Sequence, residues 1–286
     1  MWRSQGEGKR FAAARQERSG WKAASIAIRP GPISIRPGDN ERVADHPLFQ
    51  VNPGLDRREL RARFARDRRV QVPDVLTDRT AREIRRILVH HTPWGLVWQA
   101  GEEGPHRIAA GKLAGPGEKE EAAIGRRVGA ALSGAGFGFV YAHYPLLDAY
   151  LARWDPGGPH DQIIEHLNDR PFMDLARDVS GIAELKKADG QATLFRPGHV
   201  LSVHHDTDEK QGRRVAYVLN MTLGEWRPEW GGYLMFYDEA GEAVGGFRPR
   251  FNSLNLFAVP QGHSVTYVAP FSPVARYAIT GWFLDK

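Results

Sequence analysis

Three residues in the C-terminal half of the chain have the types and the spacing that a metal site needs. His204 and Asp206 lie two positions apart in a predicted strand, so their side chains point to the same face and can reach one ion. His263 lies 59 residues after His204, beyond several more predicted strands. The chain has no cysteine, so a metal must be bound through His, Asp or Glu. We therefore predict that His204, Asp206 and His263 bind a metal ion.

The residue types also indicate the chemistry of this site. Two His and one carboxylate on one face of a metal leave the opposite positions open, which is typical of non-haem Fe(II) oxygenases. Those open positions accept a chelating 2-oxo acid and then O₂. Arg276 begins the last predicted strand, and its planar guanidinium can bind the far carboxylate of 2-oxoglutarate through two N–H groups. An HxD pair alone occurs by chance in many proteins, but the distant His and the Arg make the combination much more specific.

The elements that must position these residues can be predicted from hydrophobic patterns. From Gln191 onwards, short apolar runs alternate with turns, which is typical of an antiparallel sandwich or barrel. Before Gln191 the patterns predict mainly helices, which we expect to pack against one sheet. Strands are predicted over 70–72, 192–195, 200–204, 215–223, 233–237, 253–259, 264–268 and 277–284, with one more after the glycine-rich turn in SGAGFGFVY, and helices over 55–67, 77–90, 118–132, 160–167 and 172–179.

Composition limits the class of protein. The chain has 286 residues, of which 42% are hydrophobic, which is enough for a packed core. No apolar run approaches the ~20 residues of a membrane helix, and the N-terminus lacks the apolar region of a secretory signal. The sequence therefore predicts a cytoplasmic protein with no membrane partner.

The positive charge is concentrated at the N-terminus. Residues 1–45 hold nine of the 39 Lys/Arg and five of the 34 Asp/Glu, so the rest of the chain holds 30 and 29. Residues 1–45 are also irregular in pattern, with three Pro in IRPGPISIRPGDN, and we predict a disordered basic tail. The nearly neutral remainder disfavours a nucleic-acid partner, although the arginine run over 57–69 keeps that hypothesis open.

Four sequence segments around the predicted metal site resemble those of a known family. They are LSVHHDTDEKQGRRVAYVLNMT, WGGYLMFYD, NSLNLFAVPQGHSVTYV and ARYAITGWFLD. This segment is similar to the catalytic core of the 2-oxoglutarate/Fe(II)-dependent dioxygenases, in particular the prolyl-hydroxylase-like branch. The stretch ARDRRVQVPDVLTDRTAREIRRIL resembles the entry strand and helix of such enzymes more weakly.

The resemblance implies a fold, a domain division and a set of cofactors. The fold would be α+β and mainly β: a double-stranded β-helix, or jelly roll, with N-terminal helices packed on one sheet. Residues 46–286 would form a single oxygenase domain, with a helical support region over 46–190 and the β-helix core over 191–286. The cofactors would be Fe(II), 2-oxoglutarate and O₂, and ascorbate is an optional addition.

The resemblance also implies roles for individual residues. His204, Asp206 and His263 would bind the iron, and Arg276 would bind the C5 carboxylate of 2-oxoglutarate. Many relatives have Ser two residues after the Arg, but this chain has Ala278. Thr280 or Tyr217 could supply the missing hydroxyl, and Asn220 occupies a position where relatives often have a polar contact to the co-substrate.

Several functions remain open from the sequence. The best interpretation is an oxidoreductase, similar to prolyl 4-hydroxylases, that hydroxylates a prolyl residue in a protein or peptide. One alternative is a hydroxylase of a free amino acid or another small metabolite. Another is a non-catalytic jelly-roll binding module, which the intact metal triad and Arg276 disfavour. A protein substrate would favour an open groove, whereas a free amino acid would need an enclosed pocket with its own charge partners.

Overall fold

The computed structural model describes residues 49–112, 117–134, 136–206 and 212–286. The predicted basic tail, residues 1–45, lies outside the described residues. The described helices are α1 (Arg57–Asp67), α2 (Asp78–His90), α3 (Gly117–Ser133), α4 (Leu146–Leu151), α5 (Pro159–Asn168) and α6 (Arg170–Ser180), with short 3-10 turns at Ala110–Lys112 and Pro228–Trp230.

The strands are more numerous than the helices and lie mostly in the second half of the chain. They are β1 (Arg69–Pro73), β2 (Gly95–Ala100), β3 (Glu103–Ile108), β4 (Gly138–Tyr144), β5 (Lys187–Ala188), β6 (Gln191–Phe195), β7 (Val200–His204), β8 (Arg213–Asn220), β9 (Leu234–Tyr237), β10 (Ala243–Phe247), β11 (Ser253–Ala258), β12 (Gly262–Val265) and β13 (Arg276–Leu284).

The strands pair antiparallel in an order that is far from their order in sequence. Hydrogen bonding runs β1-β11-β8-β13-β6-β4-β7-β12-β9-β10, with β2 and β3 branching from β4 and β5 pairing with β13. Residues of β8, β11 and β13 pack against residues of β9 in one apolar cluster, so the two halves of this order face each other. The result is a nearly closed, barrel-like jelly roll, which confirms the predicted fold class.

Strand β4 forms the corner between the two halves. Its C-terminal part pairs with β6 through Ala142 and Leu194, and its N-terminal part pairs with β7 through Phe139 and Leu201. Only four residues join β6 to β7, and the chain passes from one half of the barrel to the other at this connection. Strand β4 pairs with both strands and so bridges the two halves. A strand from outside the predicted core is therefore part of the wall that positions the candidate site.

The central strands are apolar on both faces because both faces are buried. In β8, Ala216 and Val218 face the barrel interior, whereas Tyr217 and Leu219 face a larger core on the other side of the sheet. This double burial explains the continuous apolar run VAYVL, since a strand with one wet face would alternate polar and apolar residues. In β13 the same alternation directs Arg276 and Ala278 away from the helical layer.

The helices cover the outer face of one half of the barrel. Apolar residues of α1, α2, α4, α5 and α6 pack with β1, β8, β11 and β13 in the largest buried cluster. Helix α3 packs instead on β2 and β4, where Ile124 and Val128 contact Leu96, Trp98 and Val140. The prediction that helices support one sheet is thus confirmed for most of them, and α3 covers the branch strands.

The structure contains elements that the sequence patterns did not predict. These are the β2–β3 hairpin, helix α4 and the short strands β5 and β10. Every residue of β3 except the last is exposed, so the strand has no apolar alternation to detect. Within the described residues, every helix is too short or too polar to cross a membrane.

Candidate active site

Two neighbouring strands bring the three predicted metal ligands together. His204 ends β7 and His263 lies in β12, and these two residues are directly opposite each other in the antiparallel pairing. Their ring centroids are 4.1 Å apart. Asp206 follows β7 with a left-handed backbone (φ 55°), a conformation that Asp adopts more readily than most residues.

The ligand atoms of these residues converge on one point. Nε2 of His204 lies 3.3 Å from one carboxylate oxygen of Asp206, and Nε2 of His263 lies 3.2 Å from the other. The three ligand atoms all lie within 4.8 Å of one another, close enough to bind a single ion. Among the described residues, His204, Asp206 and His263 are the group of three His, Asp or Glu side chains whose ligand atoms lie this close together.

Backbone carbonyls orient both imidazole rings towards this point. Nδ1 of His204 lies 2.9 Å from the carbonyl oxygen of Ser202, and Nδ1 of His263 lies 2.8 Å from that of Gln261. A carbonyl only accepts hydrogen bonds, so each Nδ1 donates its proton and each Nε2 is directed at the centre. Such partners fix the tautomer and the orientation of metal-binding histidines.

The electrostatics of the site favour a carboxylate anion at Asp206. Burial alone would raise the pKa of Asp206, but hydrogen bonds from His204 and His263 outweigh it and hold the pKa below its usual range. For His204, burial would lower the pKa, but the contact with Asp206 outweighs it and raises the pKa. A divalent cation can replace the protons that these groups share, because metal binding displaces protons from its ligands.

Arg276 is a buried cation that has no counter-ion among the described residues. Only 2% of the residue is exposed, and its guanidinium lies over the ring of Phe195, 5.4 Å from the centroid. Among the described residues it forms no ion pair, and its Nε has no hydrogen-bond partner. Burial lowers its pKa to about 10, so the side chain stays charged at neutral pH. A buried, unpaired charge is costly, and the arrangement therefore fits an anionic ligand.

One cavity of about 210 Å³ connects the metal-site residues with Arg276. Apart from these charged groups its wall is mainly apolar and aromatic. Phe137 stands at its edge, 36% exposed, and contacts the ring of His204 edge-on. Further lining residues are Phe139, Tyr141, Phe195, Leu234, Phe257 and Trp282.

The three predicted co-substrate residues occupy different environments. Thr280 lines the cavity, and its hydroxyl forms no hydrogen bond with another described residue. Tyr217 also borders the cavity, but its ring packs with Phe172 and Phe283 in the core on the other side of the sheet, and its hydroxyl donates to the backbone carbonyl of Asp189 at 2.7 Å. Asn220 is fully buried beside Ser253 and is not part of the cavity wall, although its Oδ1 lacks a partner. The structure thus brings Thr280 and Tyr217 to the cavity and leaves Asn220 outside it.

Sequence reasoning missed one residue at the centre of the site. The indole Nε1 of Trp282 donates a hydrogen bond to Asp206 at 3.1 Å. Trp282 lies two residues after Thr280 and six after Arg276 in β13, so all three have the same strand parity. That parity was visible in the sequence and places Trp282 on the same face as Arg276, but it does not specify Asp206 as its partner. The paired glycines before β9 have a backbone role: Gly231 has φ 66°, and a Cβ there would clash with the carbonyl of Tyr267.

Comparison with known proteins finds one family model that matches the C-terminal part of the chain. Residues 190–284 match the family model described as the 2OG-Fe(II) oxygenase superfamily. No curated protein matches the chain significantly. The matched segment contains His204, Asp206, His263 and Arg276, and the match confirms the resemblance to the 2OG-Fe(II) oxygenase superfamily that the sequence motifs predicted.

Several solved structures are similar to this chain at low sequence identity. An oxidoreductase of the 2OG-Fe(II) oxygenase family from Burkholderia pseudomallei is 13% identical, with 83% of this chain and 94% of that chain covered and a TM-score of 0.52. A prolyl-4-hydroxylase from Pseudomonas putida is 18% identical, with 83% and 98% covered and a TM-score of 0.47. A prolyl hydroxylase from Trichoplax adhaerens, solved with a peptide fragment of the hypoxia inducible factor oxygen degradation domain, is 15% identical, with 80% and 89% covered and a TM-score of 0.44.

The residues of the site fit the cofactors of this superfamily. The site offers two imidazole nitrogens and one carboxylate on one side of the metal position. This set of ligands suits Fe(II), because it leaves the coordination sites on the other side open. The orphaned guanidinium of Arg276 suits the far carboxylate of 2-oxoglutarate. The cofactors are therefore Fe(II), with 2-oxoglutarate and O₂ as co-substrates.

Proposed function

We propose that this oxygenase hydroxylates a C–H bond of a prolyl residue in a protein or peptide. In the balanced reaction, 2-oxoglutarate, O₂ and the substrate C–H group give succinate, CO₂ and an alcohol. The bound iron and 2-oxoglutarate supply the oxidising chemistry. The protein's residues bind and orient the cofactors and the substrate, and they exclude water from the site. The resemblance of the core motifs to the prolyl-hydroxylase-like branch supports the choice of substrate.

One observation carries the proposal: a His–Asp–His cluster and an unpaired buried Arg share one small cavity. His204, Asp206 and His263 would hold the iron. Arg276 would hold the C5 carboxylate of 2-oxoglutarate, and Thr280, whose hydroxyl has no partner among the described residues, lines the same cavity. The aromatic wall would exclude water from the reacting centre and give a small apolar ring a surface to contact.

The charge distribution supports a peptidyl substrate over a free amino acid. A free amino acid brings an ammonium and a carboxylate, and both need partners when they are buried. Among the described lining residues, the charged groups are Asp206 and Arg276, beside the two histidines, and the proposed cofactors use all of them. The cavity of about 210 Å³ is also smaller than the roughly 300–1,000 Å³ of typical small-ligand pockets. A larger substrate would thus place only its target residue inside.

The experiment that tests this function is succinate formation from 2-oxoglutarate. Full-length protein is loaded anaerobically with Fe(II) and exposed to O₂, first alone and then with prolyl peptides. We expect slow succinate formation without substrate, stimulation by a subset of peptides, and a gain of 16 Da on proline in those peptides. The His204→Ala/Asp206→Ala double variant should form no succinate.

A matched control separates metal binding from general damage. His205 is adjacent to both substituted residues but has the opposite strand parity and is exposed, so His205→Ala should retain activity. If the wild type neither binds 2-oxoglutarate in the presence of Fe(II) nor forms succinate, the oxygenase assignment fails and a binding module becomes the better interpretation. Turnover stimulated by free amino acids but not by peptides would instead support the small-metabolite alternative. The cytoplasmic location stays a prediction.

A further inference from the structure

A second cavity lies beside the candidate active site and contains a buried histidine without partners. Its volume is about 600 Å³. His143 of β4 lines it, is 6% exposed, and neither of its ring nitrogens is hydrogen-bonded to another described residue. A buried polar side chain without partners costs free energy, so such a group directed into a cavity indicates a ligand.

Residues that line the two cavities are neighbours on strands β4 and β6. Tyr141 lines the candidate active site, and His143 follows it two residues later on the same face of β4. His143 is also directly opposite Thr193 of β6, which lines the candidate active site. Residues two apart on a strand are separated by roughly 7 Å, so one extended ligand could occupy both cavities.

The polar groups of this cavity match an amide rather than an ion. Burial lowers the pKa of His143 to about 4, so its imidazole is neutral and offers one N–H donor and one nitrogen acceptor. An amide group presents the complementary acceptor and donor. The second buried histidine, His160, is also kept neutral because burial lowers its pKa, and its Nε2 is paired with the hydroxyl of Thr92 at 2.9 Å.

Charged groups of the second cavity lie at its rim. Arg107 and Asp148 form an ion pair of 2.9 Å whose side chains are more than half exposed. Arg107 offers N–H donors and Asp148 offers carboxylate acceptors. The rim therefore has a second hydrogen-bond donor and acceptor in addition to those of His143. Trp154 is 58% exposed and adds a flat apolar surface, fixed at its edge by contact with Tyr144. Repeated amide partners beside an apolar surface suit a peptide backbone with a side chain.

We infer that the cavity lined by His143, Arg107, Asp148 and Trp154 binds the peptide segment that flanks the target residue of the substrate. This inference rests on the proposed function and sharpens it, because it requires a substrate that extends several residues beyond the target. His143 binds a backbone amide of this segment, and Trp154 contacts one of its side chains. A free amino acid is too short to reach both cavities.

Binding of defined peptides tests this inference without turnover. The probes are N-acetyl-proline amide, free L-proline, and an equimolar pool of blocked heptapeptides with a central proline and three randomised residues on each side. Each probe is titrated into full-length protein with 2-oxoglutarate, and the imidazole nitrogen signals of His143 are followed by NMR. We expect the heptapeptide pool to shift these signals and to reach half-saturation at a concentration at least tenfold lower than the short blocked probe.

Two variants link the expected advantage of the long peptides to this cavity. In His143→Phe, the half-saturating concentrations of the heptapeptide pool and the short blocked probe should differ by less than threefold. In the exposed control His90→Phe, this difference should stay as in the wild type. If His143→Phe fails to fold, Trp154→Ala at the rim should reduce the advantage at least threefold.

Three outcomes overturn the inference: equal binding of long and short probes, binding of free L-proline at least as tight as the pool, or unshifted His143 signals at saturation. Absence of binding by every probe, in protein that binds 2-oxoglutarate, also overturns it. Failure of the proposed function is detected separately, as absence of Fe(II)-dependent succinate formation.

Discussion

Trp282 donates its indole N–H to the carboxylate of Asp206 over 3.1 Å, and this bond joins the last strand to the candidate metal site. Trp282 is itself held from two sides. Its backbone N–H donates to the carboxylate of Asp189 at 2.6 Å, and the guanidinium of Arg213 lies over its ring at 3.7 Å. The orientation of Asp206 therefore depends on residues that do not contact the metal position themselves.

Removing this hydrogen bond should weaken metal binding. Hydrogen-bond partners of metal ligands typically contribute about 10–100-fold to affinity, so we expect a loss of that order in Trp282→Phe. Anaerobic titration with Fe(II), or with Co(II) followed by its absorption spectrum, measures the change. Trp94→Phe is a matched control, because the indole of Trp94 also donates at 3.1 Å, but to the carbonyl of Leu88. Equal losses in both variants would contradict a specific role for Trp282.

Replacing the unpaired buried cation should have opposite effects on stability and on binding. Arg276→Met removes a buried charge and keeps an unbranched side chain, so we expect the free energy of unfolding without 2-oxoglutarate to rise by roughly 1–4 kcal/mol. The increase in Tm that 2-oxoglutarate gives to the wild type should disappear. Thermal unfolding with and without 2-oxoglutarate measures both effects. The exposed control Arg250→Met should change stability by less than about 0.5 kcal/mol and keep the Tm increase.

The hydroxyl groups of Thr280 and Tyr217, which both line the cavity that contains Arg276, should differ in function. The hydroxyl of Thr280 has no hydrogen-bond partner among the described residues and is available to the co-substrate, so Thr280→Val should weaken 2-oxoglutarate binding by about 0.5–1.5 kcal/mol, or roughly 2–10-fold. The hydroxyl of Tyr217 already donates to Asp189, so Tyr217→Phe should lower stability and leave the affinity for 2-oxoglutarate nearly unchanged. Calorimetric titration of the two variants distinguishes these roles. The reverse pattern would assign the co-substrate contact to Tyr217.

The buried carboxyl of Asp189 should make stability depend on pH. Burial raises its pKa from 3.8 to about 6, and the charges of Asp206 and Asp148 act in the same direction. The N–H of Trp282 and the charge of Arg213 act against this shift. Because the folded-state pKa is the higher one, the stabilising contribution is complete below pH 3.8 and is lost as the pH rises through about 6.

Asp189→Asn removes this dependence while keeping the oxygen that accepts from Trp282. We expect the free energy of unfolding of the variant to be close to that of the wild type near pH 4 and about 1–3 kcal/mol higher at pH 7.5. Urea denaturation at several pH values measures the difference. The exposed control Asp74→Asn should show no such trend, and its left-handed backbone suits Asn equally well. A constant difference between Asp189→Asn and wild type across this range would contradict the assignment.

The sequence predicted the site better than the elements around it. Strand parity is a local property, so His204 and Asp206 could be assigned to one face without knowledge of the fold. The contact of Trp282 with Asp206 depends on tertiary pairing, and no local pattern specifies its partner. Helix α1 starts two residues later than predicted because Asp56 caps it, accepting hydrogen bonds from the backbone N–H groups of Arg58 and Glu59.

The β2–β3 hairpin shows the limit of prediction from patterns. Strand β3 is exposed and carries Pro105, so neither periodicity nor strand propensity marks it. It nevertheless contributes Arg107 to the cavity that contains His143. His143 itself looked like one more polar residue in an apolar strand, and its lack of partners is a property of packing that only coordinates reveal.

The position of β13 has a consequence for how the protein is made. This strand follows all the other described strands in sequence, yet it lies between β8 and β6 in the middle of the sheet. During synthesis on the ribosome, β8 and β6 are translated before the strand that separates them, so each exposes an unpaired, apolar edge until β13 emerges. The nascent chain therefore passes through a period of high aggregation risk, in which chaperones that bind extended apolar segments would have their greatest effect on yield.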